Sequence, residues 1–171
     1  DIIIQQGRLS KLPIFGNASD VELVGRFSDS GTELSGTAIL FGAPVDFAVT
    51  EDRLKDKLVF RANASKAEEL AALIASTTGL DMNGSLGGNI MMVTGSALSD
   101  FEIKLGLDLT HTSIDIPAIG WAKLPAEPGR ASMRLVLNDG APVTIENIDI
   151  EAGSLEVVGR AGFAASKGNG I

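Results

Sequence analysis

The sequence predicts a mainly β protein: a curved antiparallel meander sheet, forming a β-groove or an open sandwich, with one α-helix near residues 66–78. Three observations lead to this prediction. Apolar and polar residues alternate with a period of two along most of the chain, which is typical of strands that bury one face. Turn-forming residues separate several of these runs. One segment, SKAEELAALIASTTG, instead has helical spacing.

The predicted strands follow the alternating runs. In the clearest run, residues 101–110, every odd position is apolar and every even position is polar or glycine. Between Ile145 and Ile148 the apolar phase slips by one residue, which predicts a β-bulge near Glu146 and Asn147. The other runs cover residues 21–27, 34–40, 45–49, 58–62, 133–137 and 155–163.

Tight turns are predicted at three places between alternating segments. Asp-Ser-Gly occupies residues 29–31, Gly-Ala-Pro occupies residues 42–44, and Asn-Asp-Gly occupies residues 138–140. These residue types favour the short loops of β-hairpins. Short strands joined by such loops indicate an antiparallel meander rather than βαβ units.

The helix prediction rests on its ends and on its apolar face. Ser65 followed by Glu68 has the spacing of a capping box, and Gly79 is a typical C-terminal stop. The helical segment, residues 65–79, divides the chain into N-terminal strands (1–64) and C-terminal strands (80–171). The apolar face is formed by Leu70, Leu73 and Ile74.

Composition excludes several classes of function. The chain has 14 Lys and Arg against 22 Asp and Glu, a formal charge of -8, so it would repel the phosphates of a nucleic acid. It has no Cys, which excludes disulfides, thiolate nucleophiles and Cys-ligated zinc. Its single His, His111, is expected to lie partly exposed at the end of a strand. No catalytic, metal or cofactor motif is found, so we predict a non-enzymatic protein without a cofactor.

The amount of one-sided apolar strand is the remaining unusual feature. A closed sandwich would bury two such faces against each other, whereas an open curved sheet would leave a continuous apolar trough. Large exposed apolar surfaces mark interaction or lipid sites. The residues predicted to face such a groove are Phe101, Ile103, Leu105, Leu107, Leu109, Met133, Leu135 and Leu137.

Several strand-and-turn segments together resemble a known family, the AsmA-like proteins of the YhdP/TamB kind. The similarity covers roughly residues 21–165 and is most specific over residues 101–162. Upstream, the segments LSGT (34–37) and GAPV (42–45) resemble the strand-and-turn units that precede this most specific region in the family. The most specific segments are LDLT (107–110), IDIPAIGWAK (114–123), EPG (127–129), LVLNDGAPV (135–143) and GRA (159–161).

The resemblance implies a function. AsmA-like proteins are large envelope proteins of Gram-negative bacteria that are anchored in the inner membrane and extend across the periplasm. Their β-grooves are thought to carry phospholipid acyl chains towards the outer membrane. The chain would then be an internal periplasmic segment whose anchor lies outside these residues. Its partners would be acyl chains and neighbouring segments of the same protein.

Alternatives remain open for the loop and for the function. Residues 117–128 are expected to form an irregular loop, in which Trp121 either plugs a groove end or caps a core. Lys123 and Arg130 either meet lipid phosphates or lie in a solvated loop. The main rival function is a structural or protein-interaction β domain of the envelope with a closed core. The third possible function is that of a hydrolase that uses His111.

Overall fold

The computed structural model describes residues 2–12, 16–40, 42–95, 97–138 and 141–162. Ten of the strands form one antiparallel sheet in the order β1-β2-β3-β4-β5-β7-β8-β11-β12-β13. The predicted mainly β, antiparallel fold is therefore confirmed. The strands of this sheet are β1 Ile2–Leu12, β2 Gly16–Ser28, β3 Gly31–Leu40, β4 Ala43–Asp52, β5 Lys57–Ala67, β7 Leu86–Thr94, β8 Phe101–Asp108, β11 Gly129–Asn138, β12 Ala141–Ala152 and β13 Leu155–Gly162.

A smaller group of elements lies beside this sheet. Helix α1 spans Glu68–Thr78, between β5 and the first strand of a three-stranded sheet. Because β5 pairs directly with β7, the helix interrupts the chain but not the large sheet. The small sheet has the order β10-β9-β6. Its strands are β6 Asp81–Gly84, β9 Thr112–Ile116 and β10 Trp121–Lys123.

The first predicted turn and the predicted bulge lie where the sequence places them, and the second turn is shifted. A turn at residues 29 and 30 joins β2 to β3. The turn predicted over residues 42–44 is only partly correct: Gly42 lies in a turn, but Ala43 and Pro44 already belong to β4 and pair with Leu40 and Ile39. Asp139 and Gly140 lie outside the described residues. The bulge in β12 is confirmed, because the pairing with both β11 and β13 shifts by one residue there and Asn147 has a φ of 50°.

The C-terminal end of α1 is as predicted, but its N-terminal capping box is wrong. Gly79 adopts a φ of 72° and its N–H donates to the Ala75 carbonyl at 2.8 Å. At the other end, β5 continues to Ala67, which pairs with Leu86 and is the N-cap residue without a side-chain hydrogen bond. Ser65 is therefore held in extended conformation within the strand and cannot cap the helix. The side chain of Leu73 lies outside the described part of the structure.

The expectation of an irregular loop over residues 117–128 is also wrong in part. Pro117–Ile119 form a 3₁₀ helix, and β10 follows directly. Pro117 has the fixed φ that suits the start of a helix, and Gly120 ends it with a φ of 64°. Trp121–Lys123 then pair with Ile116–Ile114 of β9.

The large sheet buries one part of its apolar face against itself. We call this part the self-covered cluster; Val21 within it is only 1% exposed. β3 and β7 are separated in the sheet by β4 and β5, so their buried side chains can meet only if the sheet curls. The right-handed twist of strands favours such curling in a sheet of ten strands. The cluster consists of Ala18, Val21, Leu23, Ala38, Leu40, Met92, Phe101, Ile103 and Leu137.

A second part of the face is covered by the smaller elements. We call α1 and the small sheet together the cap, and the side chains beneath it the cap cluster. Leu86, at the start of β7, is completely buried there. The large-sheet members come from one set of strand ends, so the cap closes that end of the curled sheet. The buried members are Ala71, Met82, Leu86, Leu109, Ile114, Ala131 and Ala152.

Candidate functional site: an apolar trough

We call the concave face of the curled sheet the trough. The pairing register of the strands determines which side chains line it. β8 and β11 pair so that Leu137 lies opposite Phe101, Leu135 opposite Ile103, and Met133 opposite Leu105. Opposed residues in an antiparallel pair point to the same face of a sheet. The side chains predicted for the groove on these two strands therefore form one continuous apolar surface.

The structure distributes the eight predicted groove residues over three environments. Phe101, Ile103 and Leu137 are buried in the self-covered cluster, and Leu135 packs against it. Leu109 lies just beyond β8 and is buried in the cap cluster, against which Leu107 packs. Leu105 and Met133 lie between the two clusters and are partly exposed. The two clusters thus leave a partly open apolar stretch between them.

The trough also contains apolar side chains that were not among the eight predicted groove residues. On the other strands its floor continues through Ile90, Phe60, Phe47 and Leu34, which are partly buried against the self-covered cluster. Phe47 and Phe60 are stacked, with ring centroids 6.3 Å apart. The alternation of apolar and polar residues over 45–49 and 58–62 could have identified both phenylalanines as trough residues.

A buried lysine braces the small sheet of the cap. Lys123 is 1% exposed, and its Nζ donates to the backbone carbonyls of Thr112 and Leu124, both at 3.0 Å. Burial lowers the pKa of its ammonium group. Both interpretations of Lys123, a solvated loop residue or a contact to lipid phosphate, are therefore wrong: β10 folds back onto β9 and directs the side chain inward. Trp121 packs against the cap cluster, as expected for a residue that caps a core.

At the opposite strand ends the described residues form no α-helix and no second sheet, and a 3₁₀ helix, Arg53–Lys55, joins β4 to β5. Here Glu51 accepts a hydrogen bond from the Thr32 hydroxyl at 2.7 Å and pairs with Arg53. These contacts lower the pKa of the Glu51 carboxyl, the Thr32 hydrogen bond most of all. A cavity of about 500 Å³ opens beside them, lined in part by Leu58 and Leu98. Phe27 is half exposed at the same end.

The convex face carries charge, as the alternation predicts. Arg134 contacts Glu102 on β8 at 3.0 Å and Glu146 on β12 at 2.6 Å, and Lys104 lies 3.5 Å from Glu102. The Arg134 guanidinium is the main reason why the pKa of Glu102 is lowered. Arg130 pairs with Glu151 at 2.6 Å on the same face and is exposed, as a solvated residue would be. The trough is thus charged outside and apolar inside, except at its uncapped end, where Glu51 and Thr32 lie on the trough face.

The described ranges contain neither a metal-binding cluster nor a membrane-spanning helix. His111 is exposed in the turn between β8 and β9. In the described part of the chain, no three His, Asp or Glu side chains are grouped so that they could hold a metal ion. None of the described helices combines the length and apolar character needed to cross a membrane.

Comparisons of the chain with protein-family models, with curated proteins and with solved structures found no match. The geometry of the trough is therefore the basis on which a function is assigned.

Proposed function

We propose that the chain is a non-enzymatic segment of an AsmA-like envelope protein whose trough accommodates lipid acyl chains on their way between the inner and outer membranes. The periplasm of a Gram-negative bacterium is the compartment that this function requires. The observation that supports the proposal best is the partly exposed apolar stretch at Leu105 and Met133, bounded by the self-covered cluster on one side and the cap cluster on the other.

The physical basis is the transfer of methylene groups out of water. Each buried CH₂ group contributes about 0.8 kcal/mol, so a long acyl chain can bind without any hydrogen bond. Leu105, Met133 and Ile90 supply only carbon and sulfur atoms to the trough. Methionine adapts its shape to different occupants, which suits a surface that accepts chains of varying length.

A second candidate function is supported by a different observation. In the self-covered cluster the two halves of the sheet already cover each other, since Val21 is 1% and Phe101 4% exposed. This closure favours a structural or protein-interaction domain of the cell envelope, whose contacts would lie on the charged convex face. The two functions differ in what occupies the stretch around Leu105.

Substitution of Leu105 by Asp separates the two functions. In an open trough the new carboxylate stays hydrated, so the protein remains folded but loses acyl-chain binding. In a closed core the unpaired charge is buried, and several kcal/mol of unfolding free energy are lost. Ser132→Asp is the matched control, because Ser132 is exposed and lies on β11, which pairs with β8.

The measurement has two parts. Native mass spectrometry of protein purified from bacterial envelopes without detergent detects bound lipid, and urea denaturation measures the stability of each variant. Bound phospholipid in the wild type and in Ser132→Asp, but not in Leu105→Asp, supports the lipid function. Consistently lipid-free wild-type protein, together with strong destabilisation by Leu105→Asp, would favour the structural domain.

A further inference from the structure

The last strand that the structure describes in the large sheet, β13, has an edge with an apolar centre. β13 pairs with β12 on one side, and among the described residues no strand lies on its other side. At its centre Val158 is 73% exposed on the convex face, and the adjacent Val157 is 39% exposed on the concave face. Such an edge presents free backbone N–H and C=O groups beside apolar side chains, which favours pairing with another strand.

The charges around Val158 are arranged symmetrically. Glu156 precedes it by two residues and Arg160 follows it by two, so all three side chains lie on the convex face. Within the described ranges, neither Glu156 nor Arg160 has an oppositely charged side chain at ion-pair distance. The edge therefore carries one acid and one base at equal distances from an exposed valine.

This arrangement is complementary to itself. If two β13 strands pair antiparallel about Val158, Glu156 of each copy lies opposite Arg160 of the other, and the two Val158 side chains lie opposite each other. Val157 then lies opposite Gly159, where added atoms would meet nothing within 4 Å. Opposite charges and apolar side chains that face each other across strands both stabilise a sheet.

We propose that two copies of this chain associate through β13, with a two-fold axis at Val158, to form one continuous sheet. Two-fold contacts between identical surfaces are the commonest form of oligomer. The inference does not depend on what the trough binds, but it requires that no other strand, from this chain or from a neighbouring segment of a longer protein, pairs with the free edge of β13. A single pair of edge strands buries a small interface, so we expect a dimer in the micromolar range rather than a tight one.

The opposite edge of the sheet provides the matched comparison. β1 also exposes an apolar residue, Ile3, which is 72% exposed. Residues 2–7 contain no charged side chain, so pairing there would lack the complementary ion pairs of β13. Ile3→Lys should therefore leave the dimer intact, whereas Val158→Lys should abolish it, because a charged residue at an edge opposes strand pairing.

Charge reversal tests the proposed register directly by sedimentation velocity across a concentration series. Glu156→Arg alone and Arg160→Glu alone should each weaken dimerisation at least tenfold, because each places like charges opposite each other. An equimolar mixture of the two single variants should form a mixed dimer, and the double variant should dimerise like the wild type. Circular dichroism checks that every variant retains its strand content.

Each other outcome would overturn the proposal. A wild-type chain that stays monomeric at several hundred micromolar has no such interface. Loss of the dimer in Ile3→Lys but not in Val158→Lys would place the contact at β1. A dimer that persists in both single charge variants would show that Glu156 and Arg160 do not face each other.

Discussion

The self-covered cluster and the cap cluster bury the same kind of side chain by different means. In the first, the cover comes from other strands of the same sheet, so burial depends on how strongly the sheet curls. In the second, a helix and a separate small sheet provide the cover, and the buried Lys123 braces the small sheet through two backbone carbonyls. The cap cluster should therefore be the more rigid of the two, and the trough should be able to change its width away from the cap.

Truncation of a buried leucine in each cluster should show the largest effect. Leu86→Ala removes a completely buried side chain from beneath the cap, and Leu40→Ala removes a buried one from the self-covered cluster. Leucine-to-alanine changes in cores cost about 2–5 kcal/mol, and the cost is highest where the surroundings cannot collapse. We expect Leu86→Ala to fall near the top of this range and Leu40→Ala near the bottom. Equal losses in urea denaturation would contradict the difference in rigidity.

The role of Lys123 in the cap can be tested next. Lys123→Ala leaves a cavity and two carbonyls without their donor, and we expect a loss of about 2–4 kcal/mol in the free energy of unfolding. Lys123→Met is the control, because it keeps most of the volume and removes the buried charge together with the hydrogen bonds. A smaller loss for Met than for Ala is expected. Unchanged stability in Lys123→Ala would show that the lysine does not brace the small sheet.

Two glycines test how closely β2 and β3 approach each other near the self-covered cluster. A Cβ atom on Gly36 would lie 1.9 Å from the Glu22 carbonyl oxygen, near the bulge in β2, whereas one on Gly159 would meet nothing within 4 Å. Gly36→Ala must shift the backbone and should cost about 1–3 kcal/mol. Gly159→Ala should be neutral or stabilise by about 0.4–1 kcal/mol. Thermal denaturation of both variants would reveal the difference, and similar melting temperatures would contradict it.

The smallest expected effect is the loss of stability at low pH when protonation of Glu102 breaks its ion pair with Arg134 on the convex face. The pKa of Glu102 lies below its ordinary value of 4.5, chiefly because Arg134 donates a hydrogen bond to it. A lowered folded-state pKa adds stability that is complete above pH 4.5 and is lost as the pH falls through the folded-state pKa. Glu102→Gln should therefore be less stable than the wild type at pH 7, and this difference should shrink at pH 3. A difference that does not change with pH would exclude the ion pair as its cause.

The sequence predicted most local features well, because each depends on a few neighbouring residues. The alternation around Leu105, the phase slip at Asn147 and the stop at Gly79 all reflect backbone geometry that the adjacent residues determine. The capping box at Ser65 failed, because β5 continues to Ala67 and holds Ser65 in the strand.

Lys123 shows the limit of such reasoning. Its burial depends on β10 folding back onto β9, and no local pattern distinguishes a short strand of three residues from a loop. The curl of the sheet likewise depends on accumulated twist, so the sequence left open how much of the trough is covered.

The self-covered cluster also has a consequence for how the chain folds. Its members extend from Ala18 in the second strand to Leu137 near the end of β11, so the cluster cannot close until most of the polypeptide has been synthesised. Contacts between residues so distant in sequence slow folding. Until Leu137 leaves the ribosome, the apolar face of the early strands stays uncovered and prone to aggregate. Slow closure therefore gives chaperones an interval in which to bind the nascent chain.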